Sequence, residues 1–224
     1  MRRRHPLPRL WLMTDERMGD ALWDALERLP RGAGVVVRHY GLPLAERRVV
    51  LARVERIARA RGLVVLGTRG LVGSGGMHNG RARCGMSTRA AHDRAEIVAA
   101  GRSGADAVFV SPMFATRSHV GARGMGVVRF GLLVRGAQVP VIALGGMNAR
   151  RARRLRAMGV YGWAGIDAWL APAVRPRGRE DCPIASIGPV RAARSEFAPS
   201  VASRCWPWFA PRRKLASANF LREP

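Results

Sequence analysis

An α/β fold on a parallel sheet, closed or doubly wound, is the class this sequence predicts. Three observations predict it. Short apolar runs alternate with segments of helical period over residues 10–170. Several of these runs are apolar and β-branched throughout, as strands covered on both faces are. Two of them, GADAVFVSPMFATRSH (104–119) and VPVIALGGMN (139–148), end abruptly in small and polar residues. Strands whose C-terminal ends open into a ligand site look like this.

The elements follow in order. LWLMT (10–14) is apolar and stops at Asp15, and residues 18–29 carry Leu22, Trp23, Leu26 and Leu29 at helical spacing. GVVVR (34–38) is a second strand, residues 44–61 a long basic amphipathic helix, and LVVLG (63–67) a third strand. ADAVFV (105–110) and PVIALG (140–145) are two more. Asn148 is placed to cap a helix over 149–158 and Gly159 to end it. GWAGIDAW (162–169) is the last strand. Between Gly67 and Cys84 the chain is Gly-rich and lacks helical period. Short strands at Met77-His78 and CGMST (84–88) have only a few residues between them, whereas a parallel crossover takes about a dozen or more. Helices are therefore expected to be shortened or missing around residues 67–88, with a local defect in the wall. Residues 171–224 hold scattered Pro and Arg and the cluster Trp206-Pro207-Trp208-Phe209, with no sustained pattern. They are expected to be a basic, Pro-rich, disordered tail to a domain spanning 1–170.

The chain has 224 residues and a net charge of +24. Lys214 is its one lysine among 39 basic residues, and the arginines are spread along the chain, so a coding bias toward Arg explains the charge. No specific nucleic-acid partner is expected, since charge alone gives only non-specific affinity. No run is long enough to span a bilayer, and Pro6, Pro8 and Arg9 interrupt any signal-peptide core. A cytoplasmic location without membrane attachment is the expectation, and Cys84, Cys182 and Cys205 read as free thiols.

The segments at 104–119 and 139–148 resemble the sixth- and seventh-strand motifs of the thiamine phosphate synthase and TenI family. GWAGIDAW is similar to its eighth strand, VVVRHY (35–40) to its second-strand Gln-Leu-Arg-Glu-Lys element, and LWLMTD (10–15) to its first strand. The resemblance covers residues 10–170 and implies a compact TIM (β/α)8 barrel. It implies an enzyme of thiamine biosynthesis, a transferase that joins a pyrimidine pyrophosphate to a thiazole phosphate and releases pyrophosphate. A phosphorylated small molecule is the implied partner, and oligomeric state is left open. Residue by residue, Thr116, Ser118, Gly145, Gly146, Gly165 and Ile166 match phosphate-binding positions. Arg38 matches the second-strand Arg, and His92 the His that follows the fifth strand. His119 stands where the sixth-strand motif has Lys.

Other departures fall where the chemistry belongs. The family's second-strand Gln is Val36 and its Lys is Tyr40. Mg²⁺ is implied by the resemblance, yet its carboxylate ligands are absent: Thr68 stands for one Asp, and GMHNGRAR (76–83) has none for the other. Asp167 replaces a Ser beside the phosphate. Three readings follow. The first is a synthase-like barrel with a degenerate metal site, its pyrophosphate resting on Arg38, Arg117 or His119. The second is a TenI-like thiazole tautomerase that uses His92 and His119 as acid and base. The third is a non-catalytic accessory protein that binds a phosphate ligand. His78 is expected to be a packed strand residue, and His5 and His39 have no supporting context.

Overall fold

The apolar runs become strands because each can be buried on both faces, inside by its neighbours across a barrel and outside by helices. The computed structural model describes residues 6–81, 84–115 and 124–170. Its strands are β1 (Leu10–Met13), β2 (Gly34–Val36), β3 (Val64–Gly67), β4 (Gly76–His78), β5 (Met86–Ala91), β6 (Ala107–Val110), β7 (Val141–Ala143) and β8 (Gly162–Gly165). All pair in parallel and in chain order, and β8 returns to β1 through Leu10↔Trp163, Trp11↔Ala164 and Leu12↔Gly165. This is the closed alternative of the two the sequence left open, and the TIM-type barrel the resemblance implied. The tail at 171–224 and residues 116–123, with Thr116, Ser118 and His119, lie outside the described residues.

Alternation along the strands sorts the core into an inside and an outside. Trp11, Met13, Val36, Leu66, Met86, Phe109, Ile142 and Ala164 fill the interior. Trp11 is fully buried, stands edge-on to Phe109 with ring centroids 5.2 Å apart, and donates its indole N–H to the Pro8 carbonyl at 2.8 Å. The ring fits because position 34 on the neighbouring strand has no side chain. A Cβ there would stand 2.1 Å from a Trp11 ring carbon. His78 lies edge-on to the other side of Phe109 at 5.0 Å, with its Nδ1 2.9 Å from the Thr88 hydroxyl.

Outside, one cluster joins β1–β3 to the helices α1 (Ala21–Arg28) and α2 (Leu44–Arg61). A second joins β5–β8 to α3 (Arg94–Arg102), α4 (Gly126–Val134) and α5 (Ala149–Arg153). Asn148 caps α5 by accepting from the Arg151 N–H at 2.9 Å. The helix predicted over 149–158 breaks into α5 and a 3-10 turn at Arg156–Met158, which Gly159 ends in a left-handed conformation (φ 71°). Helix α4 has no counterpart in the sequence reading. Its run GVVRFGLLV carries one charge and shows no polar stripe to mark it as helical.

Among the described residues the wall at 67–88 lacks helices, as expected, but the strands themselves close without a gap. Residues 68–75 turn back along β3, with turns at 69–70 and 74–75. Extended chain of that length reaches about 26 Å, and returning over a four-residue strand takes about 13 Å, so no helix is needed. Glycine makes the close return possible. A Cβ on Gly67 would stand 2.2 Å from the Leu71 carbonyl oxygen, and one on Gly73 2.5 Å from that of Val65. The Gly75 N–H donates to the Val65 carbonyl at 2.8 Å, so this segment does part of a covering helix's work.

Two predictions follow from the interior. Gly34→Ala forces Trp11 out of its seat and lowers stability by about 1–3 kcal/mol, as overpacked cores do. An unchanged urea midpoint would mean that the ring is not confined. His78 is held neutral: burial, aided by the charges of Arg38 and Arg89, pushes its imidazole down to about 4. The unfolded chain takes up that proton near pH 6.5. Between these values the unfolded state binds more protons. Stability is therefore full above about pH 6.5 and falls by roughly 3 kcal/mol in all as the pH drops through 4. His78→Gln flattens most of this dependence, measured as urea midpoints at about pH 7 and about pH 5.

Candidate functional site

In a closed parallel barrel all eight strand ends emerge on one face, so residues distant in sequence meet there. The β7 side is built from glycine. Gly145 and Gly146 follow β7 with φ of 96° and 57°, conformations that glycine adopts without strain. A Cβ on Gly145 would stand 3.0 Å from the Met113 nitrogen, and one on Gly146 2.5 Å from the Ala115 carbonyl oxygen. The Gly145 carbonyl accepts from the Phe114 N–H at 3.1 Å, and the Gly146 carbonyl accepts from the Arg151 guanidinium, which also lies over the Phe114 ring. In a trans peptide the N–H points opposite to the C=O. The N–H groups of Gly146 and Met147 therefore point away from Phe114 and Arg151. A Cβ on Gly165, at the end of β8, would stand 3.2 Å from the Met147 carbonyl oxygen. Gly145, Gly146, Gly165 and Ile166 thus share one side of the mouth. Asp167, exposed at the start of the 3-10 turn Asp167–Trp169, follows at once.

His92 comes next, after β5. Asp93 caps α3 by accepting from the Glu96 N–H at 2.8 Å, and the Glu96 carboxylate accepts in return from the His92 N–H at 2.5 Å. This reciprocal cap holds the His92 backbone. Its imidazole is exposed, and its Nδ1 lies 2.9 Å from the Ser111 carbonyl oxygen after β6. A carbonyl only accepts, so Nδ1 carries the proton and Nε2 of the neutral ring is left as a base.

Arg38 stands across the mouth, after β2. Its Nε donates to the Thr14 carbonyl at 3.0 Å and its guanidinium to Asp15 at 3.1 Å. Burial opposes ionisation of Asp15, but hydrogen bonds and charge from Arg17, with charge from Arg38, outweigh it and hold the carboxyl below its usual range. The Thr14 hydroxyl accepts from the Arg38 N–H at 3.0 Å and lies 3.1 Å from His39 Nδ1. Burial lowers the affinity of His39 for its proton, against the pull of Glu16 and Asp15. Arg38 is therefore a fixed cation, and His39, which the sequence reading set aside, is part of what fixes it.

Arg47 is the residue that sequence reasoning missed. It shares the buried stripe of α2 with Leu51, Val54 and Ala58 and is only 5% exposed. That i, i+4, i+7, i+11 spacing was the available signal. Its guanidinium donates to the Thr68 carbonyl at 2.8 Å, the Thr68 hydroxyl at 3.0 Å and the Arg69 carbonyl at 3.4 Å. The Thr68 hydroxyl donates to the Val37 carbonyl at 2.8 Å.

The residues present do not fit a divalent metal of the kind the resemblance implies. Thr68, at one expected carboxylate position, has its hydroxyl engaged by Arg47 and Val37, and a guanidinium stands where a metal would need room. After β4, the Asn79 side-chain carbonyl accepts from the Ala90 N–H at 2.7 Å. Among the described residues no group of three or more His, Cys, Asp or Glu is placed to hold a metal ion. Nor is any described helix long and apolar enough to cross a membrane.

Residues 76–169, from β4 to the last 3-10 turn, match the family model described as thiamine monophosphate synthase. The chain is 34% identical over 80 residues to a putative thiamine-phosphate synthase 2 of Aquifex aeolicus, covering 36% of this chain and 43% of that protein. It is 31% identical over 76 residues to a thiamine-phosphate synthase of Ruminiclostridium cellulolyticum, covering 34% and 36%. The matches thus span less than half the length of either relative. The fold is similar to that of a thiamine phosphate pyrophosphorylase from Pyrococcus furiosus, with a TM-score of 0.58 and 22% identity over 72% of this chain and 86% of that one. The closed barrel is thus the fold shared with that pyrophosphorylase, and residues 76–169 are similar to the thiamine monophosphate synthase family.

Proposed function

We propose that this barrel condenses a pyrimidine pyrophosphate with a thiazole phosphate and releases pyrophosphate. The observation that carries the reading is the Gly145-Gly146 turn, whose carbonyls are tied back to Phe114 and Arg151 and whose following N–H groups are turned away from them. Such N–H groups suit a phosphate, and glycine allows a close approach. Gly165 and Ile166, with Thr116 and Ser118 further along the sequence from β6, complete the thiazole phosphate cradle in this reading. The thiazole nitrogen then donates its electron pair to the pyrimidine methylene carbon. The carbon–oxygen bond breaks, and its electron pair leaves on pyrophosphate. Fixed cations such as Arg38 lower the cost of that growing charge.

A second reading has its own support. The exposed Nε2 of His92, a base fixed in its tautomer by Ser111, suits proton transfer in a TenI-like thiazole tautomerase. His119 is its acid–base partner in that reading.

Pyrophosphate release from the two synthase substrates is the expected activity. Gly146→Asp, which sets a carboxylate in the cradle, is expected to weaken thiazole phosphate binding by at least about tenfold, read as loss of ligand-induced thermal stabilisation. No release at high enzyme concentration would remove the synthase reading. For the second reading, His92→Ala is expected to lower thiazole carboxylate isomerisation by about 10²-fold or more. Isomerisation at the full rate in that variant would remove the tautomerase.

A further inference from the structure

The loss of lysine and of two carboxylates leaves open what meets a diphosphate on the β2–β3 side of the mouth. Tyr40, where the family has Lys, is 40% exposed, and the Arg69 guanidinium lies over its ring at 4.2 Å. Arg69 is exposed and follows β3 with a φ of 46°. The Arg47 guanidinium lies 5.8 Å from the same ring on the buried side. Its acceptors, Thr68 and the Arg69 carbonyl, are all neutral, and its buried Nε has no hydrogen-bond partner. Among the described residues neither Arg47 nor Arg69 has a carboxylate partner. The nearby acids are used elsewhere: Asp15 pairs with Arg17 and Arg38, and Glu16 accepts from the Gly41 N–H at 2.6 Å. A buried charge without a counter-charge is costly, and a bound anion relieves that cost. Arg47 also ties down the backbone that carries Arg69, which fixes where the exposed guanidinium starts.

We infer that Arg69, positioned and reinforced by Arg47, receives the diphosphate of the substrate directly, without a divalent metal. This rests on the synthase reading and assigns the charge on one side of it. Arg69 touches the diphosphate through its planar fork, which suits phosphate oxygens. Arg47 is a positioning residue that acts through Thr68 and the Arg69 carbonyl and adds its own charge from behind. The cation that Tyr40 gave up thus comes from the next strand and from α2.

Calorimetric titration of the full chain with inorganic pyrophosphate, in EDTA and in Mg²⁺, tests this, with thiazole phosphate as a second ligand. Pyrophosphate is expected to bind equally well in both buffers. Arg69→Ala is expected to weaken it about tenfold or more and leave thiazole phosphate unaffected. Arg47→Met is expected to weaken pyrophosphate alone, with partial recovery in Arg47→Lys; a merely structural role would shift both ligands. If Arg47→Met does not fold, the exposed Arg69→Ala still decides. Pyrophosphate binding that requires Mg²⁺, or that ignores Arg69→Ala, while thiazole phosphate binds normally, would overturn this inference alone. Binding of neither ligand would overturn the synthase reading with it.

Discussion

Everything at the mouth depends on closing the sheet below it, and closure turns on one contact, Trp11 against Gly34. A barrel of eight strands has room inside only for side chains. Here the largest of them lies across the neighbouring strand at the position without a Cβ. Trp11 then meets Phe109, and Phe109 meets His78, so one aromatic column links β1, β6 and β4 across the interior. The seam is held from outside as well. The Trp169 indole donates to the Trp11 carbonyl at 3.0 Å while its ring stacks on Trp163, and the Tyr161 hydroxyl donates to the Leu7 carbonyl at 2.7 Å. With the barrel shut, Arg38, His92 and the Gly145-Gly146 turn come from sequence separations of more than a hundred residues to one face.

The column also explains how the barrel tolerates a thin side. Between β3 and β5 no helix buries the outer surface, and hydrophobic stabilisation from that layer is missing. The interior packing at β4 compensates, since His78 is held by Thr88 and Phe109 and stays uncharged. Outside, the chain covers itself: residues 71–75 lie on β3, and Met77 folds onto Gly80, where a Cβ would stand 1.8 Å from its sulfur. Such contacts are available only to glycine, which is why this stretch reads as a Gly-rich interruption and not as a shorter helix.

Six of the eight strands were legible as apolar runs, and β4 and β5 as short segments too close together to be certain neighbours. Their pairing became clear only in three dimensions, because crossover length depends on strand length as well as on the residue count. Helix α2 was legible at both ends, with Gly62 in a left-handed conformation closing it. Helix α4 was not, because an almost uncharged helix has no polar face to set its period. At the site, the glycines were legible, since a strand ending in Gly-Gly marks a turn with positive φ and close backbone approach that other residues resist. Arg47 and His39 were hidden by their own residue types. In a chain with so many arginines, one that is buried looks like all the others, and only its place on the α2 stripe gives it away.

In the metal-free reading proposed above, the loss of the carboxylates and of the metal is one electrostatic change. In the pattern the resemblance implies, two aspartates beside a diphosphate are tolerable because a doubly charged cation lies between them and the phosphate oxygens. Removing both aspartates removes two negative charges, and removing the metal removes two positive ones, so the sum facing the diphosphate is conserved. Losing either alone would not conserve it. Aspartates without metal would repel the substrate, and a metal without aspartates would rest on the phosphates alone. Once both are gone, the remaining requirement is a fixed cation on a defined backbone. Arg47 spends its hydrogen bonds on the backbone of Thr68 and Arg69 and keeps its charge unspent. That division is what distinguishes it from Arg38, whose guanidinium is anchored by a carboxylate that it shares with Arg17. On the β2–β3 side Arg47 and Arg69 thus offer charge without a carboxylate partner among the described residues, and on the other side the glycines offer the shape.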